Sequence, residues 1–126
     1  MKWLLDTHII LFAMSNSKKL GAAARKILLN PENQLRFSAA SLWEISLKSG
    51  MGKLDVEIEV VEEYCREYDI GILPVLPQHI RDLNKVSTVH PDPFDRLLIA
   101  QAESTPMYLL TQDETILNIC NMAKAG

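Results

Sequence analysis

A chain of 126 residues, 48% apolar and 23% charged, is sized for one ordinary core, and its formal charge of −3 excludes a protein that holds nucleic acid by bulk positive charge. No apolar run reaches the roughly 18 residues of a membrane helix, and the two cysteines, Cys65 and Cys120, form neither a C-x-x-C pair nor a disulfide framework. One soluble, cytoplasmic domain over residues 1–126 is the expectation, with no membrane association.

In chain order, KWLL at 2–5 reads as a short strand ended by Asp6, and THIILFAM after it has the length and composition of a helix. KLGAAARKILLN sets Leu20, Ala24, Ile27 and Leu28 on one helical face and stops at Asn30-Pro31. LRFS at 35–38 is a strand candidate, and AASLWEISLKSG a helix expected to close on a left-handed Gly50. VEIEVVEEYCREY predicts an amphipathic helix. It lies in a stretch, residues 55–69, that holds seven acids and one base, so the remainder carries +3. That acidic run reads as a solvated face over 57–68. IGILPV follows, limited by Pro74 to a strand end or edge, then a helix from about Gln78 to Lys85. HPDPFDRLLIAQA opens a further helix, MYLL is a strand, and TQDETILNICNMA begins one more helix. Strand and helix alternate throughout, which predicts an α/β fold with parallel strands and helices on both faces.

In such a sheet the carboxyl ends of the strands gather at one edge, where ligand sites form. Asp6 ends the first strand, Asp113 lies three residues after MYLL, Asp95 sits in the first turn of its helix, and Glu44 lies one or two turns into the helix after LRFS. Four carboxylates therefore point to one edge. Each also has a local explanation. Asp92-Pro93-Phe94-Asp95 matches an N-cap with proline at the first helical position, and Ser41-x-x-Glu44 and Thr111-x-x-Glu114 are written like capping boxes. Caps, however, need no common edge, whereas acids clustered beside apolar strands are costly without a cation among them. Oxygen ligands select a hard ion, Mg²⁺ or Mn²⁺, suited to phosphoryl or phosphodiester chemistry. His8, His79 and His90 each stand alone and read as solvated or capping residues rather than ligands, Glu44 and Lys48 as a surface i,i+4 pair, and Arg96 as solvated.

LLDTHIILF at 4–12, SAASLWEISLKSGMGKL at 38–54, HPDPFDRLLIAQA at 90–102 and LLTQD at 109–113 together resemble the PIN-domain ribonucleases, and within them the VapC-like toxins of toxin–antitoxin pairs. The resemblance implies a three-layer α/β/α sandwich around a parallel sheet. It implies a metal-dependent endoribonuclease whose acidic site is Asp6, Glu44, Asp95 and Asp113, with Asp6, Asp95 and Asp113 as metal ligands. Asp92 would cap or help position, Thr111 would be the hydroxyl near the metal, and Lys48 and Lys53 are candidate contacts to RNA phosphates. By that resemblance RNA would be cut by a metal-activated water. A homodimer and an inhibitory VapB-like antitoxin, which lays an apolar helix into a groove, are the implied partners. The chain departs from the family pattern at its end, where LNICNMAKAG predicts a last strand that is short or missing. Two other readings are carried beside this one: an α/β phosphohydrolase acting on a small phosphorylated substrate, and a non-catalytic module that binds RNA or a partner while the acids cap helices.

Overall fold

The computed structural model describes residues 1–86, 90 and 92–126, so Pro91 of the HPDP stretch lies outside the described residues. The elements run β1 (Lys2–Leu5), α1 (Thr7–Met14), α2 (Ala22–Leu29), β2 (Gln34–Ser38), α3 (Ala39–Gly50), α4 (Ile58–Glu67), β3 (Ile70–Leu73), α5 (Pro77–Asp82) with a 3-10 turn over Leu83–Lys85, α6 (Pro93–Ser104), β4 (Tyr108–Thr111), α7 (Glu114–Ile119) and β5 (Ala123–Ala125). The five strands form one parallel sheet in the order β3-β2-β1-β4-β5.

Short apolar runs make these strands because both faces of the sheet are covered, as parallel sheets require. The two-residue pleat then divides their side chains. Trp3, Leu5, Leu35, Phe37 and Leu110 join Ile9 and Ile10 of α1, Ala24 of α2, Ile45 of α3 and Val61 and Cys65 of α4 in one core. Leu4 and Leu109 face the other way, into a second core with Leu98, Ile99 and Ala102 of α6 and Ile116 of α7. The result is the expected α/β/α sandwich.

Strand order decides where a site can form. From β1 the chain moves outward through β2 to β3, then returns to add β4 on the opposite side of β1. Connections leaving β1 and β4 diverge, so the carboxyl ends of those two strands open a crevice. Leu5 is in register with Leu110, which brings Asp6 and Thr111 side by side at its floor.

Several local expectations are corrected. Gly50 is the last residue of α3, and the left-handed turn falls two residues later, at Gly52 with φ of 76°. Ser38, not Ser41, caps α3, its hydroxyl accepting the Ala40 N–H at 3.0 Å; Ser41 and Glu44 lie inside the helix and are buried. Thr111 belongs to β4, and Asp113 caps α7. Both capping boxes fail for one reason: a strand end borders each helix, so the first serine or aspartate at the junction takes the cap. The last strand is short but present, pairing β5 with β4 from Leu109↔Ala123 to Thr111↔Ala125. Pro74 directly follows β3, an edge strand, as its missing N–H requires.

Candidate active site

The floor of the crevice is built by β1 and β4. Asp6 is 4% exposed and its two oxygens are committed: Oδ1 accepts the Thr7 N–H at 2.7 Å and Oδ2 accepts the Thr111 hydroxyl at 2.6 Å. Thr111 Oγ1 in turn accepts the Asp113 N–H at 3.0 Å, so its single proton goes to Asp6. One buried hydroxyl thus sets the relation between two acids carried by different strands. Burial raises the Asp6 pKa, while these hydrogen bonds pull against it.

Helix α6 brings its N-terminus to the same edge. Asp92 caps it, Oδ1 accepting the N–H groups of Phe94 at 2.8 Å and Asp95 at 3.3 Å, and Pro93 takes the first helical position, where no N–H is needed. Asp95 caps nothing. Its Oδ2 lies 3.1 Å from His90 Nε2, and the same nitrogen is 3.3 Å from Asp113 Oδ2. Burial, and then the charges of Asp6, Asp92, Glu44 and Asp113, push the Asp95 pKa up to about 8. Asp113 behaves differently. Burial would raise its pKa, but the Ile116 N–H on its Oδ1 and the His90 ring on its Oδ2 hold it below the ordinary carboxylate range.

Glu44 enters from α3. Its Oε1 lies 2.8 Å from Thr7 Oγ1, which is also 2.8 Å from Ser41 Oγ; with one proton, Thr7 donates to the carboxylate and accepts from the serine. Lys48 Nζ donates to Oε2 at 2.6 Å. Since Glu44 is 2% exposed, this is not the surface pair its i,i+4 spacing suggests. The hydrogen bond to Glu44 raises the Lys48 pKa, with further support from Asp92 and Asp95.

These side chains line one cavity of about 210 Å³, with Asp6, Glu44, Asp92, Asp95 and Asp113 on its walls and Lys48, His8, Phe12 and Gln112 around them. Lys48 and His8 also border an adjoining cavity that contains Lys53. All four predicted acids, Asp92 and Lys48 therefore line one crevice, Thr111 is buried behind Asp6, and Lys53 stands at the flank. The carboxylates offer a hard divalent cation suitable donors. Among the described residues, His90, Asp95 and Asp113 each have one nitrogen or oxygen within 4.8 Å of the others, and Asp6 lines the same cavity. Each Glu44 oxygen, like each Asp6 oxygen, already accepts one hydrogen bond.

His90 is the residue missed by sequence reasoning: it is 6% exposed and lies between two acids rather than in solvent. Its place two residues before the Asp92 cap was the only available signal. His79 is buried and does cap, its Nδ1 accepting the Leu76 N–H at 3.0 Å, and His8 is exposed as expected. Arg96 is half-buried, with one guanidinium nitrogen 3.4 Å from the Leu83 carbonyl, rather than solvated.

The model of the PIN domain family matches residues 3–122. The chain belongs to the PIN domain family. No curated protein matches it. Solved structures similar to this PIN domain include VapBC2 from Rickettsia felis bound to a DNA fragment from its promoter, at TM-score 0.70 and 17% identity over 100% of this chain and 98% of that one. VapBC-1 from nontypeable Haemophilus influenzae matches at TM-score 0.69 and 21% identity, over 99% of this chain and 98% of that one. DNA-bound VapBC from Salmonella typhimurium matches at 0.69 and 16%, over 100% and 97%. At these identities the likeness is one of fold, and it extends over the whole PIN domain.

Proposed function

We propose that this PIN domain is the toxin of a toxin–antitoxin pair, an endoribonuclease that hydrolyses RNA phosphodiesters with a divalent ion, Mg²⁺ or Mn²⁺, held by Asp6, Asp95 and Asp113. The observation that carries the proposal is the convergence of five carboxylates in one cavity with Lys48 on its wall; burial, and then the neighbouring acids, push the Asp95 pKa up to about 8. So much negative charge on one wall is what a divalent cation relieves. When bound, such an ion neutralises charge on the phosphate and makes an attacking water more acidic.

The chain's own residues supply the rest. Thr111 orients Asp6 and the backbone at Asp113, and Asp92 fixes the entrance of α6 so that Asp95 faces inward. Glu44 serves the site through Lys48, whose ammonium it anchors beside the acids, where it meets an RNA phosphate; Lys53 extends that positive edge. A trough supports the antitoxin reading. A mainly apolar groove lined by Leu11, Met14, Leu54, Val56 and Val60, with Ser15, Asp55 and Glu57 on its rim, shares Leu11 and Leu54 with the cavity that holds Lys48 and Lys53, and that cavity shares His8 and Lys48 with the acidic one. An amphipathic helix laid along it reaches the acidic crevice with its end. The exposed side chains Trp43 and Leu47 of α3 and Met51 at its C-cap, spaced by four residues, support a homodimer. No helix among the described residues is long and apolar enough to cross a membrane, in keeping with a cytoplasmic toxin.

The test is cleavage of a fluorescent single-stranded RNA in MgCl2 or MnCl2. We expect cleavage that EDTA abolishes and that Asp6→Asn and Asp95→Asn each reduce at least about 100-fold, the scale on which a lost site residue acts, with both variants still unfolding cooperatively above the assay temperature. Undiminished cleavage in EDTA sinks the metal reading. Turnover of a phosphomonoester with none of RNA favours the small-substrate phosphohydrolase, and the absence of any divalent binding favours a non-catalytic module.

A further inference from the structure

The metal reading leaves the nearest neighbour of its ligands without a task. His90 is 6% exposed, and its Nδ1 accepts the Asp92 N–H at 3.2 Å. An accepting Nδ1 puts the ring proton on Nε2. That N–H stands 3.1 Å from Asp95 Oδ2 and 3.3 Å from Asp113 Oδ2, shared between two carboxylates. The ring is therefore tied to the N-cap of α6 on one side and to both acids on the other.

A nitrogen that carries a proton has no lone pair for a cation, so in this arrangement His90 is a donor and not a ligand. Its value lies in what it does to the acids. The shared N–H keeps the Asp95 and Asp113 oxygens, which lie within 4.8 Å of one another, turned toward the same gap. Asp113 depends on this most, because its Oδ1 is committed to the Ile116 N–H and Oδ2 alone remains for the site. Contacts of 3.1 and 3.3 Å are longer than the 2.7–2.9 Å of strong charge-assisted bonds, so the oxygens are oriented without being saturated.

We propose that His90 is a positioning residue for a divalent cation bound by Asp95 and Asp113: its Nε2–H holds the two carboxylates convergent before the ion arrives. The inference rests on the metal reading above. Calorimetric titration with MnCl2 alone, in the absence of RNA, tests it on the full chain. His90→Ala is expected to bind Mn²⁺ about 10–100-fold more weakly, as loss of a group that orients metal ligands does. His90→Gln, which carries an amide N–H at similar reach, is expected to recover most of that loss. Nitrogen NMR of the imidazole in the wild-type protein needs no variant to fold, and should find His90 protonated on Nε2 both without metal and in MgCl2. The inference is overturned by an His90→Ala protein that binds Mn²⁺ as tightly as wild type or more tightly, by an His90→Gln protein no better than His90→Ala, or by loss of the Nε2 proton in MgCl2, which would make the ring a ligand. Wild-type protein that binds neither ion removes the metal reading as well; normal wild-type binding with any of the other results removes this inference alone.

Discussion

A carboxyl group buried among other acids relieves its charge in one of two ways, by taking up a proton or by taking up a cation. Asp95, with its pKa pushed up to about 8, does the first when no metal is present. Its ordinary value is 3.8, so between about pH 4 and 8 the folded protein holds a proton that the unfolded chain has lost, and stability falls as pH rises through that window. Asp113, held below 3.8, works in the opposite sense: its contribution is present at neutral pH and is lost only in acid. Urea unfolding of the metal-free protein should therefore show a midpoint that declines from pH 5 to 8, and Asp95→Asn should flatten that decline. A second prediction concerns Thr111, which is fully buried between Asp6 and the Asp113 backbone. Thr111→Val keeps the shape but leaves a buried carboxylate oxygen without its donor, so a loss of about 1–3 kcal/mol in urea unfolding is expected, with most of it spared in Thr111→Ser.

At the scale of elements, local rules account for caps better than for the side chains beyond them. Asp92, Pro93 and the start of α6 follow from sequence because an N-cap satisfies N–H groups two and three residues away. Asp92→Ala should cost about 1 kcal/mol in thermal unfolding, and it should also reduce RNA cleavage, since the Asp92 carboxylate holds the first turn of α6, which carries Asp95; the His90 ring keeps its bond, because that bond is to the backbone N–H of residue 92. A purely structural cap would lower the melting temperature and leave cleavage at permissive temperature unchanged. The capping boxes written at Ser41 and Thr111 misled because the same side chains serve partners far away in sequence. Ser41 meets Thr7, and Thr111 meets Asp6 across 105 residues. Gln101 is another such tie. Buried in the middle of α6, it accepts the Ser38 hydroxyl at 2.6 Å and donates to the Pro74 carbonyl at 3.2 Å, fixing α6, which carries Asp95, against the start of α3, which carries Glu44.

At the scale of the whole molecule, the sheet sets the site and the site limits the sheet. Five carboxylates meet where β1 and β4 diverge, so the native state bears a repulsion that the unfolded chain does not. A divalent ion that binds only the folded protein should stabilise it by about 2.7 kcal/mol at one hundred times its dissociation constant, a rise of roughly 10 °C in Tm for a chain of this size. Differential scanning calorimetry with MnCl2 should show that rise, and Asp95→Asn should show little of it. A rise of equal size in the variant would place the ion elsewhere.

The sequence by itself determined the α/β class, the order of the elements and the positions of Asp6, Glu44, Asp95 and Asp113 near strand ends and helix starts. Apolar periodicity and cap chemistry are local properties, so they can be read from a few neighbouring residues. Tertiary structure alone decided which acids share the cavity, that Glu44 is held by Thr7 and Lys48, and that His90 lies between Asp95 and Asp113. Those contacts depend on strand order and on the Leu5–Leu110 register, which bring together residues that share no local pattern.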